Sequence, residues 1–171
     1  MFFEFDPTLA TTFLQLSLAA FLGLLLGAER SIAGKSAGMR TFALVSLGAC
    51  LFVVVSVLIT TQYFGKVNFD PMRVPAAIIS GIGFIGAGLI MFRQNLMRGL
   101  TTAAGMWVAA GVGAAVGFGL YYIATFTTLL TLLIFTAVWF IEANLKLYFG
   151  RHNVEPVVNK DHTSSSQLDD E

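Results

Sequence analysis

The sequence predicts an all-α polytopic membrane protein, a bundle of five transmembrane helices. Three observations carry this. First, 56% of the 171 residues are hydrophobic and only 12% charged, with a mean hydropathy of +0.78. Soluble domains hold about 25% charged residues. Second, five apolar stretches approach the roughly 20 residues a helix needs to cross the hydrocarbon core. Third, the stretches around Val74–Phe92 and Leu100–Phe118 are loaded with glycine and alanine. In a soluble helix each glycine costs about 1 kcal/mol against alanine. In lipid, small residues repay that cost by letting helix backbones approach closely.

The first span runs from about Leu9 to Ala28 and the second from Thr41 to Thr61. MFFEFDPTLA places two acids where a signal peptide carries basic residues, so the first span reads as retained. The third span, about Val74 to Phe92, has Pro75 in its first turn, where proline is tolerated. A cationic loop, RQNLMRG, leads to the fourth span, Leu100 to Phe118. The fifth, Leu120 to Ile141, follows after only the Gly117-Phe118-Gly119 region, so the last two spans read as a tight hairpin. Residues 1–149 thus form the membrane domain. From Gly150 to Glu171 a Ser triplet and terminal acids read as a disordered cytoplasmic tail, and His152 and His162 in it as solvated.

Lys and Arg set the orientation. Arg30, Lys35, Arg40, Arg93, Arg98, Lys146, Arg151 and Lys160 fall on one side, and only Lys66 and Arg73 on the other. The N-terminus, with Glu4 and Asp6, therefore reads as outside and the C-terminus as cytoplasmic. Tyr121 and Tyr122, and Trp139 and Tyr148, suit the aromatic belts at the two ends of the fifth span. An alkaline phosphatase fused at Gly150 is expected to be inactive; an active fusion would reverse the topology.

The fourth span carries Thr101, Gly105, Ala109, Gly113 and Gly117 at spacing four, one small-residue face down a helix. A second series, Ala103, Gly111, Ala115 and Gly119, is interrupted by Trp107. The third span offers Ala77 with Gly81 and Gly83 with Ala87, and the first Gly23 with Gly27. Such faces serve packing within the chain, or pairing with another protein or a second copy. The run Ser80, Gly81, Gly83, Gly86 and Gly88 has a further reading: a broken helix whose carbonyls face a cavity, as at transporter ion sites.

No ionisable residue lies at the middle of a span, which argues against a proton-coupled transporter. Charges gather at the cytoplasmic helix ends as Glu29, Arg30, Arg40 and Arg98. Glu29 is the one carboxylate among these arginines, and a fork to Arg40 or Arg98 would lock helix ends together. The same cluster suits an anionic headgroup, a phosphate or a partner side chain. On the outer side, Asp70 and Arg73 read as a local pair at a helix start. Cys50 is the only cysteine, too few for a disulfide or thiolate site, and reads as a small buried hydrophobe. No P-loop, zinc motif, nucleophile elbow or dinucleotide motif occurs in context, so no enzyme and no cofactor is expected. Glu29, Asp70 and Glu142 are too scattered for a metal cage. A net charge of zero offers nothing to nucleic acid.

At these residues the chain resembles the MgtC/SapB family of bacterial inner-membrane proteins. The matching motifs are Gly27-Ala28-Glu29-Arg30, Gly38-Met39-Arg40-Thr41, Asp70 with Arg73, Ser80 to Gly88, and Arg98-Gly99-Leu100-Thr101-Thr102-Ala103-Ala104 with Trp107. They occur in the family's order over roughly residues 15 to 120. The resemblance implies a five-span protein of the bacterial inner membrane, linked to magnesium homeostasis and growth in low magnesium. It also implies partners among membrane complexes, ATP synthase or a magnesium transporter for example. Fuller family members carry a folded cytoplasmic C-terminal domain, and here a polar tail stands in its place, so the chain looks like a short form. Two functions stay open: a non-enzymatic regulator acting through helix contacts, and a transporter or channel for a small ion such as Mg²⁺.

Overall fold

The computed structural model describes residues 7–63, 70, 72–93 and 96–150. Five helices follow in order: α1 Pro7–Ile32, α2 Met39–Gln62, α3 Arg73–Leu89, α4 Leu100–Gly117 and α5 Tyr121–Gly150. The fold is the all-α membrane bundle that the composition demands. Among the described residues, three helices are long and apolar enough to cross a membrane: Leu9–Ile32, Met39–Gln62 and Leu100–Gly117. Arg73–Leu89 and Tyr121–Ala137 are shorter apolar helices. At 1.5 Å per residue, α3 reaches about 25 Å, near the lower limit for a span.

Two expectations about the third span need correction. It ends at Leu89, three residues early, because Met91–Arg93 and Leu96–Arg98 pair as a short antiparallel hairpin, β1 and β2. The connection expected as a simple loop therefore satisfies part of its backbone internally. The glycine run does not break the helix either: α3 is continuous from Arg73 to Leu89. No interrupted backbone frees carbonyls there.

The turns follow local chemistry. After α1, the Lys35 N–H donates to the Arg30 carbonyl and the Gly34 N–H to that of Ser31. After α4, Leu120 donates to Ala115 and Gly119 to Val116. Both are Schellman endings, which require a left-handed residue, and Gly34 (φ 64°) and Gly119 (φ 76°) supply it. Ser31 Oγ accepts the Met39 N–H at 3.2 Å and so ties the last turn of α1 to the start of α2.

The chain divides into two compact units, 1–137 and 138–171. The first holds the bundle; in the second, α5 continues as helix to Gly150, and the expected tail lies outside the described residues. Within the bundle α2 and α4 are central: α1 packs on both, and α3 packs chiefly on α4. One buried cluster joins Leu26, Phe42, Ala49, Ile82, Met106 and Ala109. A second joins Ala19, Leu22, Cys50, Val54, Val112 and Val116. Several polar side chains find backbone partners, whereas the buried Ser46 Oγ has none among the described residues. Gln15 Nε2 donates to the carbonyls of Val116 and Gly117 at the open end of α4. Thr125, Thr128, Thr131 and Thr136 each bond the carbonyl four residues back along α5.

Candidate functional site

The glycines separate into two sets by what surrounds them. A Cβ on Gly23 of α1 would lie 2.6 Å from the Phe42 carbonyl oxygen and 2.7 Å from Ser46 Cβ. One on Gly113 of α4 would strike the backbone of Ser46. Ser46, fully buried in α2, is thus clasped by two glycines, one from α1 and one from α4. Farther along α4, Gly117 abuts Val53, and Gly105 abuts the rings of Phe42 and Phe135. The face Gly105–Ala109–Gly113–Gly117 is buried along its length, whereas Thr101 is exposed and its neighbour Thr102 is buried instead. In the second series Gly111 is exposed and meets nothing.

The glycines of α3 behave oppositely. Gly86 makes ordinary contact with Ala103, but nothing lies within 4 Å of a Cβ on Gly81, Gly83 or Gly88. Ser80 is exposed, and Ala76, Ser80, Gly83 and Ala87 form an outward stripe of small residues one helical turn apart. Phe84 beside it is 85% exposed.

At the end of the bundle where α1 stops and α2 starts, the charged residues do not gather as expected. Arg30 turns inward and is only 4% exposed. Its Nε and Nη2 both approach Oε2 of the adjacent Glu29. Its guanidinium carbon sits 3.6 Å from the centroid of the Phe135 ring. A buried arginine is thus neutralised by one carboxylate and covered by an aromatic face, the arrangement that makes a desolvated guanidinium tolerable. Arg40 and Arg98 are exposed, and among the described residues the one ion pair is Glu29–Arg30. The expected fork from Glu29 to Arg40 or Arg98 is therefore replaced by one to its own neighbour. Phe135, which completes this polar centre, was not singled out by sequence; neither was Gln15. Nothing local in FTAVWF distinguishes a ring that covers an arginine about a hundred positions away.

The expected Asp70–Arg73 pair also takes another form. Asp70 Oδ1 accepts the Met72 N–H at 2.9 Å, and the Asp70 carbonyl accepts the Arg73 N–H at 3.2 Å. Asp70 is thus a backbone anchor for the start of α3. Cys50 is buried in the apolar core and has no disulfide partner. Among the described residues, no three His, Cys, Asp or Glu side chains come together.

Comparison with known proteins places this arrangement. The chain is 40% identical over 124 residues to Protein SapB of Bacillus subtilis, covering 71% of this chain and 53% of that protein. It is 40% identical over 123 residues to the protein named Putative magnesium transporter YhiD of Escherichia coli K12, covering 71% and 57%. Against Protein MgtC of Salmonella typhimurium LT2 the identity is 42% over 119 residues, covering 70% and 48%. The chain spans about half the length of the curated relatives it matches. No solved structure matches it. The family model described as MgtC family aligns with residues 16–144, from the middle of α1 into the later part of α5. The chain belongs to the MgtC family.

Proposed function

We propose that this chain is a non-enzymatic regulator in the bacterial inner membrane, linked to magnesium homeostasis, that acts through helix contacts with another membrane complex. The observation that carries the reading is the contrast between its glycines. Gly23 of α1 and Gly105, Gly113 and Gly117 of α4 are used up in packing against α2, while the Ala76–Ser80–Gly83–Ala87 stripe of α3 is exposed among the described residues and nothing lies within 4 Å of a Cβ on Gly83. A small-residue stripe on the outside of a bundle is what a second transmembrane helix packs against in lipid, where no hydrophobic force drives association. The magnesium link rests on the family and on the name of the Escherichia coli relative. The polar centre at Glu29 and Arg30 holds the cytoplasmic helix ends in place, with the N-terminus outside and the C-terminus inside.

A transporter reading needs oxygen ligands along a path. The continuous α3 and the lack of any mid-span carboxylate weigh against it. The decisive variant is Gly83→Leu. Because its site is open, melting in detergent should stay within about 0.5 kcal/mol of wild type, as for an outward substitution. Growth in low magnesium and co-purification of the partner complex should both be lost. Normal growth with Gly83→Leu would remove the stripe from the mechanism, and purified protein that passes Mg²⁺ into liposomes would replace the regulator with a transporter.

A further inference from the structure

Where α2 and α3 diverge, they leave a groove of about 1330 Å³, floored by α4 at Met106 and Ala110. That exceeds the roughly 300–1,000 Å³ of ordinary small-molecule pockets. Its walls carry Gly48 on α2 and Gly81 on α3, and nothing lies within 4 Å of a Cβ at either position. Neither glycine is explained by packing within the chain. Both keep the middle of the groove wide.

The lining is not uniform along the groove. Most of it is aliphatic or aromatic, but Ser56, Thr60, Tyr63 and Arg73 all fall where α2 ends and α3 begins. At the opposite end, among the described residues, Thr41 is the one polar lining residue and no charged residue lines the groove there. Arg73 is exposed and has no carboxylate partner among the described residues. The nearest acid in sequence, Asp70, turns Oδ1 to the Met72 N–H. Among the described residues the groove is therefore polarised: one cation and an aromatic hydroxyl at one mouth, mostly hydrocarbon along the rest.

We infer that this groove binds a glycerophospholipid, with its acyl chains between α2 and α3 and its phosphate on the Arg73 guanidinium. The charge pattern selects this occupant. A transmembrane helix presents interfacial groups at both ends, and among the described residues only one end of the groove has a charged lining residue. A phospholipid has one anionic head and a long apolar body, which is the polarity of the lining. Arginine binds a phosphate through paired N–H donors, and Tyr63, which closes α2, adds an aromatic hydroxyl at the same mouth. The lipid site lies on the α2-facing side of α3, apart from the outward stripe assigned to a partner helix, so either can fail without the other.

The test uses the full chain, purified in dodecyl maltoside and titrated with palmitoyl-oleoyl phosphatidylglycerol, with bound lipid read by native mass spectrometry. One lipid should remain on each chain. Arg73→Ala should weaken retention about tenfold, the loss of one charge-assisted contact. Palmitoyl-oleoyl glycerol, which lacks the phosphate, should bind wild type about tenfold more weakly and should not distinguish Arg73→Ala from it. The double variant Gly48→Leu with Gly81→Leu should fill the groove and abolish retention at unchanged helix content. Should that variant misfold, Arg73→Ala, at the exposed rim, decides alone. Equal retention by wild type and Arg73→Ala would overturn the proposal. So would a lipid-free dimer that Gly81→Leu converts to monomer, which would make a second copy the occupant.

Discussion

Gly113→Ala is expected to destabilise the bundle by about 1–3 kcal/mol, and Gly113→Leu by more, to the point where little monodisperse protein survives extraction. The reason is the clasp around Ser46. A Cβ at Gly113 would lie 2.8 Å from Ser46 Cα and closer still to its carbonyl. The obstacle is backbone, which cannot rotate away as a side-chain tip could. Relief requires α4 to move off α2, and that movement also loosens Gly117 from Val53 and Gly105 from Phe42. The control lies two residues earlier. Gly111 is on the same helix but faces open space, so Gly111→Ala should be neutral or stabilising by up to about 1 kcal/mol, alanine being the better helix former. Fluorescence-detected melting of the two variants in one detergent reads the difference. Equal melting would show that the α2–α4 crossing is looser than its geometry states.

Glu29→Ala should cost a comparable amount. Arg30 is held away from solvent by the bundle, and Glu29 is the carboxylate on it. Removing one side of a buried pair typically costs about 3–5 kcal/mol because the other charge stays buried and uncompensated. The lower end applies here, since Glu29 is itself partly exposed and water reaches its edge. Phe135→Ala should add a separate loss of up to about 2 kcal/mol for the cation–ring contact, beyond the ring's own packing. The pairing is tested by the double change Glu29→Ala with Arg30→Met, which removes the stranded charge and should recover part of the loss. Arg40→Ala and Arg98→Ala should leave melting nearly unchanged, because both residues are exposed and neither pairs with Glu29. If Arg40→Ala or Arg98→Ala, and not Arg30→Met, rescues Glu29→Ala, the carboxylate pairs across helices after all. Glu29→Gln separates structure from function: near-normal melting with lost growth in low magnesium would make the carboxylate's charge part of the activity.

The helices themselves are legible in the sequence, because length and hydropathy are local quantities and the hydrocarbon core accepts little else than apolar helices of about 20 residues. The order of motifs from Gly27 to Trp107 likewise points to the family without coordinates. The small-residue face of α4 is visible as a period of four. What a period cannot state is the identity of the partner surface. That Gly113 meets the Ser46 carbonyl, while Gly83 and Gly111 meet nothing, depends on the crossing of α2, α3 and α4, which no single segment encodes. The extent of α3 is hidden from the sequence for a similar reason: Met91 and Phe92 are apolar enough to extend the span, and only their pairing with Arg98 and Met97 takes them out of it. The charged end follows the same logic. Consecutive residues on a helix lie about 100° apart, so Glu29 and Arg30 do not look like partners, and Glu29 looks as though it should reach another helix. In the folded chain Arg30 points into the bundle, where Phe135 from α5 supplies the ring and the nearest carboxylate is its own neighbour's. Composition alone requires a membrane helix bundle. Which glycines carry it, and which arginine is buried in it, are decided by contacts between residues far apart in the chain, because only close approach of distant backbones makes a missing Cβ or a desolvated charge matter.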